Sequence, residues 1–324
     1  MENNLLVTSS PHLRSKDTTA RIMMDVVIAL LPAAVSGVYF YGARTILVIL
    51  TTILAAVASE AITCKILKKD LTINDFSAVV TGMLLALNLP PTIPLWIAAV
   101  GAALAIILVK ELFGGLGQNF MNPALTARVI LLISWPVQMT NWILPDTVSS
   151  ATPDAISSAT PLSLLKGEGN VGSAMPGYLE LFMSKIGGCI GETSVLAILI
   201  GAAYLVYRRV ISLETPLTFI GSLALFTWIF GGETLFTGDF MYHILSGGLM
   251  LGAFFMATDY TTSPVTFKGR VIMGIGCGLL TGIIRLYTNY PEGVSFAILL
   301  MNIATPLIDR YTIPSSFGGE KKVA

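Results

Sequence analysis

The chain has 324 residues, 54% of them apolar and only 12% charged, with a formal net charge of zero and a mean hydropathy of +0.77. Soluble domains carry roughly 25% charged residues, so this composition describes an integral membrane protein, and its charge balance argues against a nucleic-acid-binding surface. Three scattered cysteines (Cys64, Cys189, Cys277) and two histidines (His12, His243) are too few for an iron–sulfur cluster held by this chain alone or for a haem, so any electron handling calls for an organic cofactor.

The first twenty residues are polar and show no cleavable signal peptide, and the apolar run after Arg21 is long enough to be retained as a signal anchor. A crossing helix needs about 20 mostly apolar residues. Ten stretches approach that length: 22–41, 45–64, 76–89, 93–112, 120–135, 190–207, 211–231, 240–257, 270–288 and 294–309. The third, fifth and tenth are short and read as tilted or partly re-entrant. One connection is long, 136–189, rich in Ser, Thr, Pro and Gly. Long loops in compact folds are functional or disordered.

That loop divides the chain into five spans plus five. "DFSAVVTGMLLALNLPPTIP" (75–94) and "DFMYHILSGGLMLGAFFMATDYTTSP" (239–264) hold the same place in their halves. Each opens Asp-Phe, passes a Ser/Thr-Gly and closes on Pro. An odd number of spans per copy inverts the second copy, the plan of many transporters. The expected fold is therefore an all-α membrane protein of two inverted five-helix repeats: an N-terminal segment 1–21, a first repeat 22–135, a loop 136–189, a second repeat 190–309 and a tail 310–324.

Cytoplasmic segments are rich in Lys and Arg. With the N-terminus cytoplasmic, 14 of the 19 basic residues lie inside, including Lys65, Lys68, Lys69, Lys110, Arg208 and Arg209. Arg44, Lys166 and Lys185 lie outside, and Arg128 and Arg285 fall within spans. Both termini are then cytoplasmic and the 136–189 loop faces outward, with Trp96, Trp135 and Trp142 as interfacial anchors.

The outward loop contains "DAISSATPLSLLK" (154–166). Pro161 suits the first position of a short helix and Thr160 its N-cap. Taken alone, these residues describe a capped helix in a polar loop. The same geometry suits a phosphate, because a helix N-terminus offers free N–H groups and a positive dipole end. "GGLGQNFMNPALTAR" (114–128) is a glycine-rich turn feeding a helix; without a preceding strand it is no nucleotide fingerprint, and close helix packing explains its small residues equally well. A central arginine costs about 2.5–3.5 kcal/mol in lipid, so Arg128, with Asn119 and Asn122, must face protein or a ligand. Asp25, Glu60, Glu111, Asp259 and Asp309 lie near cytoplasmic span ends. They pair there with bases such as Arg21, Lys65 and Arg310, or form an ion path, for which Asp25, Glu60, Asp259 and Asp309 are the candidates.

Four blocks, "SSPHLRSKDTTARIMMDVVIALLPA" (9–33), "GGLGQNFMNPALTAR", "DAISSATPL" and "FMATDYTTSP" (255–264), together resemble the NqrB/RnfD family, in order and across essentially the whole chain. In that family a threonine of the third block carries FMN through a phosphodiester bond, which by resemblance is Thr160 here. Ser158 stands where the motif often has glycine, a small-for-small change. The short N-terminal segment is similar to the RnfD branch rather than the sodium-pumping quinone reductases. The resemblance implies a subunit of an ion-translocating oxidoreductase, without a complete active site or metal of its own, in a bacterial or archaeal cell membrane. Its partners would be the other Rnf subunits (A, B, C, E and G), with electrons relayed between ferredoxin and NAD and Na+ or H+ moved in step. Arg128 is then expected to neutralise a flavin phosphate or ring anion, and Asn122 to hydrogen-bond in the same cavity. A second, noncovalent riboflavin between the halves is a further expectation. The alternative is an inverted-repeat solute channel without redox chemistry, resembling urea-channel architecture.

Overall fold

The computed structural model describes residues 17–143, 160–166, 175–183, 187–232, 234–288, 290 and 292–314, and all regular structure among them is helical. Ser158 and Lys185 lie outside the described residues. The first part of the chain forms α1 (Thr19–Tyr41), α2 (Ala43–Ile66), α3 (Ser77–Leu87), α4 (Leu95–Leu104), continued by a π-helical stretch (Ala105–Glu111), and α5 (Pro123–Ser134). Three short helices, α6 (Pro136–Met139), α7 (Pro161–Leu165) and α8 (Tyr178–Met183), lie in the long connection. The second part forms α9 (Val195–Tyr207), α10 (Glu214–Phe230), α11 (Phe240–Leu245), α12 (Leu249–Leu251), continued by a second π-helical stretch (Gly252–Met256), α13 (Phe267–Tyr287) and α14 (Val294–Thr312).

By length and composition α1, α2 and α13 can each cross a membrane; α3, α5, α9 and α10 are apolar but shorter. Apolar residues fill the core and also cover much of the surface, while several charges are buried. Met24, Ile28, Leu31 and Val35 of α1 are exposed, as are Ile272, Ile275, Leu279 and Ile283 of α13. Both stripes recur every three or four residues, so one face of each helix is greasy and outward. Glu60, Lys110, Glu111, Arg128 and Arg285 are buried instead. Lipid favours this arrangement, because it tolerates apolar surface and penalises exposed charge.

In the first part α2 packs on α3 and on α4, and α4 on α5; in the second, α10 packs on α11 and on α13, and α13 on α14. The two parts meet through α1 against α9 and α5 against α14. Small residues set these approaches. A Cβ on Gly278 of α13 would fall 2.6 Å from the Phe219 carbonyl oxygen of α10, and Gly274 and Gly282 face the same helix. Between α1 and α9, the Asp25 carboxylate accepts from the Tyr204 hydroxyl at 2.9 Å and from Arg208 Nη2 at 2.9 Å.

Three departures from the expected spans have local causes. The stretch expected as one helix over 240–257 is broken: after Leu245, Gly247 (φ 70) and Gly248 (φ 66) turn the chain before α12 begins. Two successive left-handed residues cannot continue a right-handed helix, and only glycine adopts them without cost. The stretch expected from 190 begins its helix at Val195, because 190–192 forms a 3-10 turn and the Ser194 hydroxyl caps the Ala197 N–H. The tenth stretch, expected short, is a continuous 19-residue helix. The third and fifth are indeed short, at 11 and 12 residues.

Candidate functional site

Thr160 is the N-cap of α7, with extended backbone (φ −67, ψ 155) and Pro161 at the first helical position. Its Oγ1 accepts from the Ser163 N–H at 3.3 Å and donates to Ser163 Oγ at 3.2 Å. Thr160, Pro161 and Leu162 are all buried. Leu162 seats the helix: a Cβ on Gly247 would overlap Leu162 Cδ1 and lie 2.9 Å from Arg285 Nη2. At the other end of α7, Lys166 Nζ donates to the Thr288 carbonyl.

The helix carrying Thr160 thus rests on the break between α11 and α12, and charged side chains serve both sides of that break. Arg285 donates to the carbonyl oxygens of His243 (2.5 Å), Ser246 (3.0 Å) and Gly247 (3.0 Å), the free acceptors where α11 ends. Among the described residues its Nε has no hydrogen-bond partner. Across the glycines, a Cβ on Gly248 would overlap Glu192 Oε1. A cation therefore meets the negative end of one half-helix, and an anion stands beside the positive start of the next.

Arg128 lies on the neighbouring α5. Its Nη2 donates to Glu292 Oε2 at 2.5 Å and to Cys189 Sγ at 3.3 Å, and stands 3.7 Å from Glu192 Oε1. Its Nη1 donates to Asn88 Oδ1 at 3.0 Å and to Ser295 Oγ at 3.1 Å. Arg128 thus ties α3, α5, the 189–192 turn and the start of α14 together. A buried arginine in a span announces that some carboxylate must face it. Nothing in the linear sequence singles out Glu192 or Glu292 as that carboxylate.

Asn122 and Arg128, expected in one cavity, line two. They are six positions apart on α5, which separates them by about 9 Å along the axis and turns them to different faces. Arg128, Glu292, Ser295, Thr140 and Tyr290 line a cavity of about 510 Å³. Asn122 caps α5 through the Leu125 N–H (3.2 Å) and lines a cavity of about 790 Å³ between the two parts of the chain. Its walls are mainly apolar, with Met23 and Val26 of α1, Val80 of α3 and Phe254 and Phe255 opposite; Lys110, Asn119 and Asp259 are the polar edges. Between the cavities, Asn88 Nδ2 donates to Met256 Sδ (3.6 Å) and Asn122 Nδ2 to the Met256 carbonyl (3.4 Å).

The four candidate ion-path carboxylates do not come together. Asp25 is held by Tyr204 and Arg208. Glu60 Oε1 accepts from Lys110 Nζ (2.7 Å) and Thr72 Oγ1 (2.6 Å), and Lys110 also donates to Ser77 Oγ at 2.6 Å. Asp309 accepts from the Val265 N–H at 3.2 Å. Asp259 accepts from the hydroxyls of Thr261 (3.0 Å) and Thr262 (3.3 Å). Burial holds its carboxyl above the usual aspartate range, against those bonds. Asp259 alone of the four lines the 790 Å³ cavity.

Comparison with known proteins finds relatives along nearly the whole chain. The chain is 51% identical, over 99% of its length and 97% of the relative's, to the D subunit of the Na(+)-translocating ferredoxin:NAD(+) oxidoreductase complex of Acetobacterium woodii. It is 45% identical, over 98% and 97%, to the D subunit of the proton-translocating ferredoxin:NAD(+) oxidoreductase complex of Clostridium ljungdahlii. It is 41% identical, over 94% and 93%, to the D subunit of the ion-translocating oxidoreductase complex of Stutzerimonas stutzeri. The model of the NQR2, RnfD, RnfE family matches residues 6–318, and the chain belongs to that family.

Proposed function

We propose that this chain is the D subunit of an Rnf-type ion-translocating ferredoxin:NAD oxidoreductase complex, relaying electrons through an FMN esterified to Thr160. The full-length likeness to proteins of that name supports the role. One such relative is named for sodium and another for protons, so the coupled ion is taken as Na+ or H+. The observation that carries the flavin assignment is the seat of Thr160. Its hydroxyl caps a helix whose Leu162 rests beside Arg285, a buried cation with an unpartnered Nε.

Bound there, FMN supplies one- and two-electron chemistry. Thr160 Oγ1 would hold the phosphate, and as an ester oxygen it keeps its lone pairs, so the cap from the Ser163 N–H can persist while the bond donated to Ser163 Oγ is lost. Among the described residues, Arg285 beside Leu162 and Lys166 at the end of α7 are bases that can balance the phosphodiester. Arg128 suits that role less well, because its donors already face Glu292, Asn88, Ser295 and Cys189.

We assign the noncovalent riboflavin to the cavity between the two parts of the chain, whose apolar walls with a few polar edges are those of a small-molecule site. The two inverted five-helix repeats, ten spans in all, are supported by a matching arrangement: α2 packs on α3 and α4 as α10 packs on α11 and α13. The cytoplasmic side is then the one carrying Lys69, Lys110 and Arg208, with Thr160 and Glu292 outside.

A denaturing gel viewed under ultraviolet light tests the attachment. The band at 34.5 kDa fluoresces in the wild type expressed with the flavin-attaching enzyme and is dark in Thr160→Ala. A dark wild-type band would instead favour a channel without redox chemistry. Val80→Phe, which fills the larger cavity, should leave the fluorescent band and abolish acid-extractable riboflavin; unchanged extraction removes the riboflavin assignment.

A further inference from the structure

We infer that Glu292 and Glu192, bridged by Arg128, form a proton-binding site that exchanges with the face of the protein carrying Glu292. The charge balance comes first. One guanidinium faces two carboxylates, at 2.5 Å and 3.7 Å, so the ionised triad carries one net negative charge inside the protein. Among the described residues Glu192 Oε1 has no hydrogen-bond partner, although Glu192 is only 7% exposed. A bare carboxylate oxygen in such surroundings is strongly unfavourable. A proton removes the excess charge and supplies the missing bond. In the step itself hydronium gives its proton to a carboxylate oxygen, an O–H bond forms, water is released, and the triad passes from a charge of −1 to zero. Loss of the proton to water reverses it.

Among the described groups facing the pair, Arg285 alone adds a further positive charge. Burial pushes the Cys189 thiol up, so it stays protonated and donates to the Asn88 carbonyl at 3.2 Å. The Tyr41 hydroxyl donates to the Gly188 carbonyl at 3.3 Å. Arg285, beyond Gly247 and Gly248, gives its donors to three carbonyls rather than to either carboxylate, so its charge offsets part of the excess through space without bonding to the pair. Burial, reinforced by Glu192 and opposed by Arg128 and Arg285, pushes the Glu292 carboxyl up to about 7. The pair therefore keeps a proton where an ordinary glutamate, near 4.5, has lost it.

Access is one-sided. The Glu292 side chain keeps 15% of its exposure against 5% for Glu192, and Glu292 lines the 510 Å³ cavity. Arg128 does not line the larger cavity; its Nη1 instead donates to Asn88, which in turn donates to Met256 Sδ. The same oxygens could attract a sodium ion. The guanidinium 3.7 Å from the unpartnered oxygen would repel a metal cation, whereas a proton binds covalently to the carboxylate. This inference does not depend on the flavin assignment.

Infrared difference spectroscopy of the intact membrane complex, titrated in sodium-free and sodium-rich buffer, tests it. The expected signal is a protonated-carboxyl band, shifted in heavy water, with a midpoint about 7, far above the usual glutamate range. It should vanish in Glu292→Gln. In Glu192→Gln the midpoint should fall by at least one pH unit, a tenfold loss of proton affinity, as the like charge is removed. Should Glu292→Gln fail to assemble, Glu292→Asp keeps a titrating band at altered frequency. The proposal is overturned if the wild type shows no such band, if the band is unchanged in both Glu292 variants, or if its midpoint follows sodium rather than pH.

Discussion

Replacing Arg128 by alanine should destabilise the protein by about 3–5 kcal/mol, the range for removing one partner of a buried ion pair. The loss is large because it strands charge as well as deleting contacts. Glu292 and Glu192 would face each other uncompensated, and Asn88 Oδ1 and Ser295 Oγ would lose their donor. The affected groups belong to α3, α5, the 189–192 turn and the start of α14, so the damage crosses the seam between the two parts of the chain. Thermal unfolding in detergent is the measurement. The double variant Arg128→Leu with Glu292→Leu should recover part of the loss, since it deletes both charges of the closer pair. A melting temperature of the single variant equal to the wild type would show that the triad holds nothing together.

Gly278→Leu should be nearly as damaging, through shape alone. Its Cβ would overlap Ser222 Oγ and fall 2.6 Å from the Phe219 carbonyl oxygen and 2.8 Å from the Leu223 nitrogen. The serine side chain can rotate away, but the two backbone atoms belong to α10 and cannot move without the helix. Overpacking of this kind costs about 1–3 kcal/mol for small insertions and more for a whole branched side chain. Gly274 and Gly282 lie one turn away on the same face, so a displaced helix loses the whole contact. Arg285 would shift with α13, and its grip on the α11 carbonyls would loosen. The expected result is reduced folded yield and a lower melting temperature, with Ile283→Leu on the exposed face of α13 as a neutral control. Wild-type stability in Gly278→Leu would mean that α10 and α13 do not approach this closely.

The greasy helices were legible because a bilayer imposes a length: α1, α2 and α13 lie where long apolar runs predict them. The short third and fifth helices were legible for the same reason, since Asp75 and the prolines on either side leave too few apolar residues. Thr160 was legible as a cap because capping is a local property of a hydroxyl before Pro161. The break at Gly247 was not. "SGG" inside an apolar run reads equally as a packing notch, and only a neighbouring arginine able to take up the freed carbonyls makes a broken helix tolerable there.

Composition and periodicity by themselves determined a helical membrane protein, the approximate limits of its apolar segments and a capped hydroxyl at Thr160, because each depends on residues within a few turns of one another. The tertiary structure alone decided that Arg128 meets Glu292 from 164 positions away, that Asn122 faces a different cavity, and that Asp25, Glu60, Asp259 and Asp309 are separately engaged. The reason is that charge pairing acts through space. A buried guanidinium demands a carboxylate, but which carboxylate answers depends on how α5, α14 and the 189–192 turn are brought together.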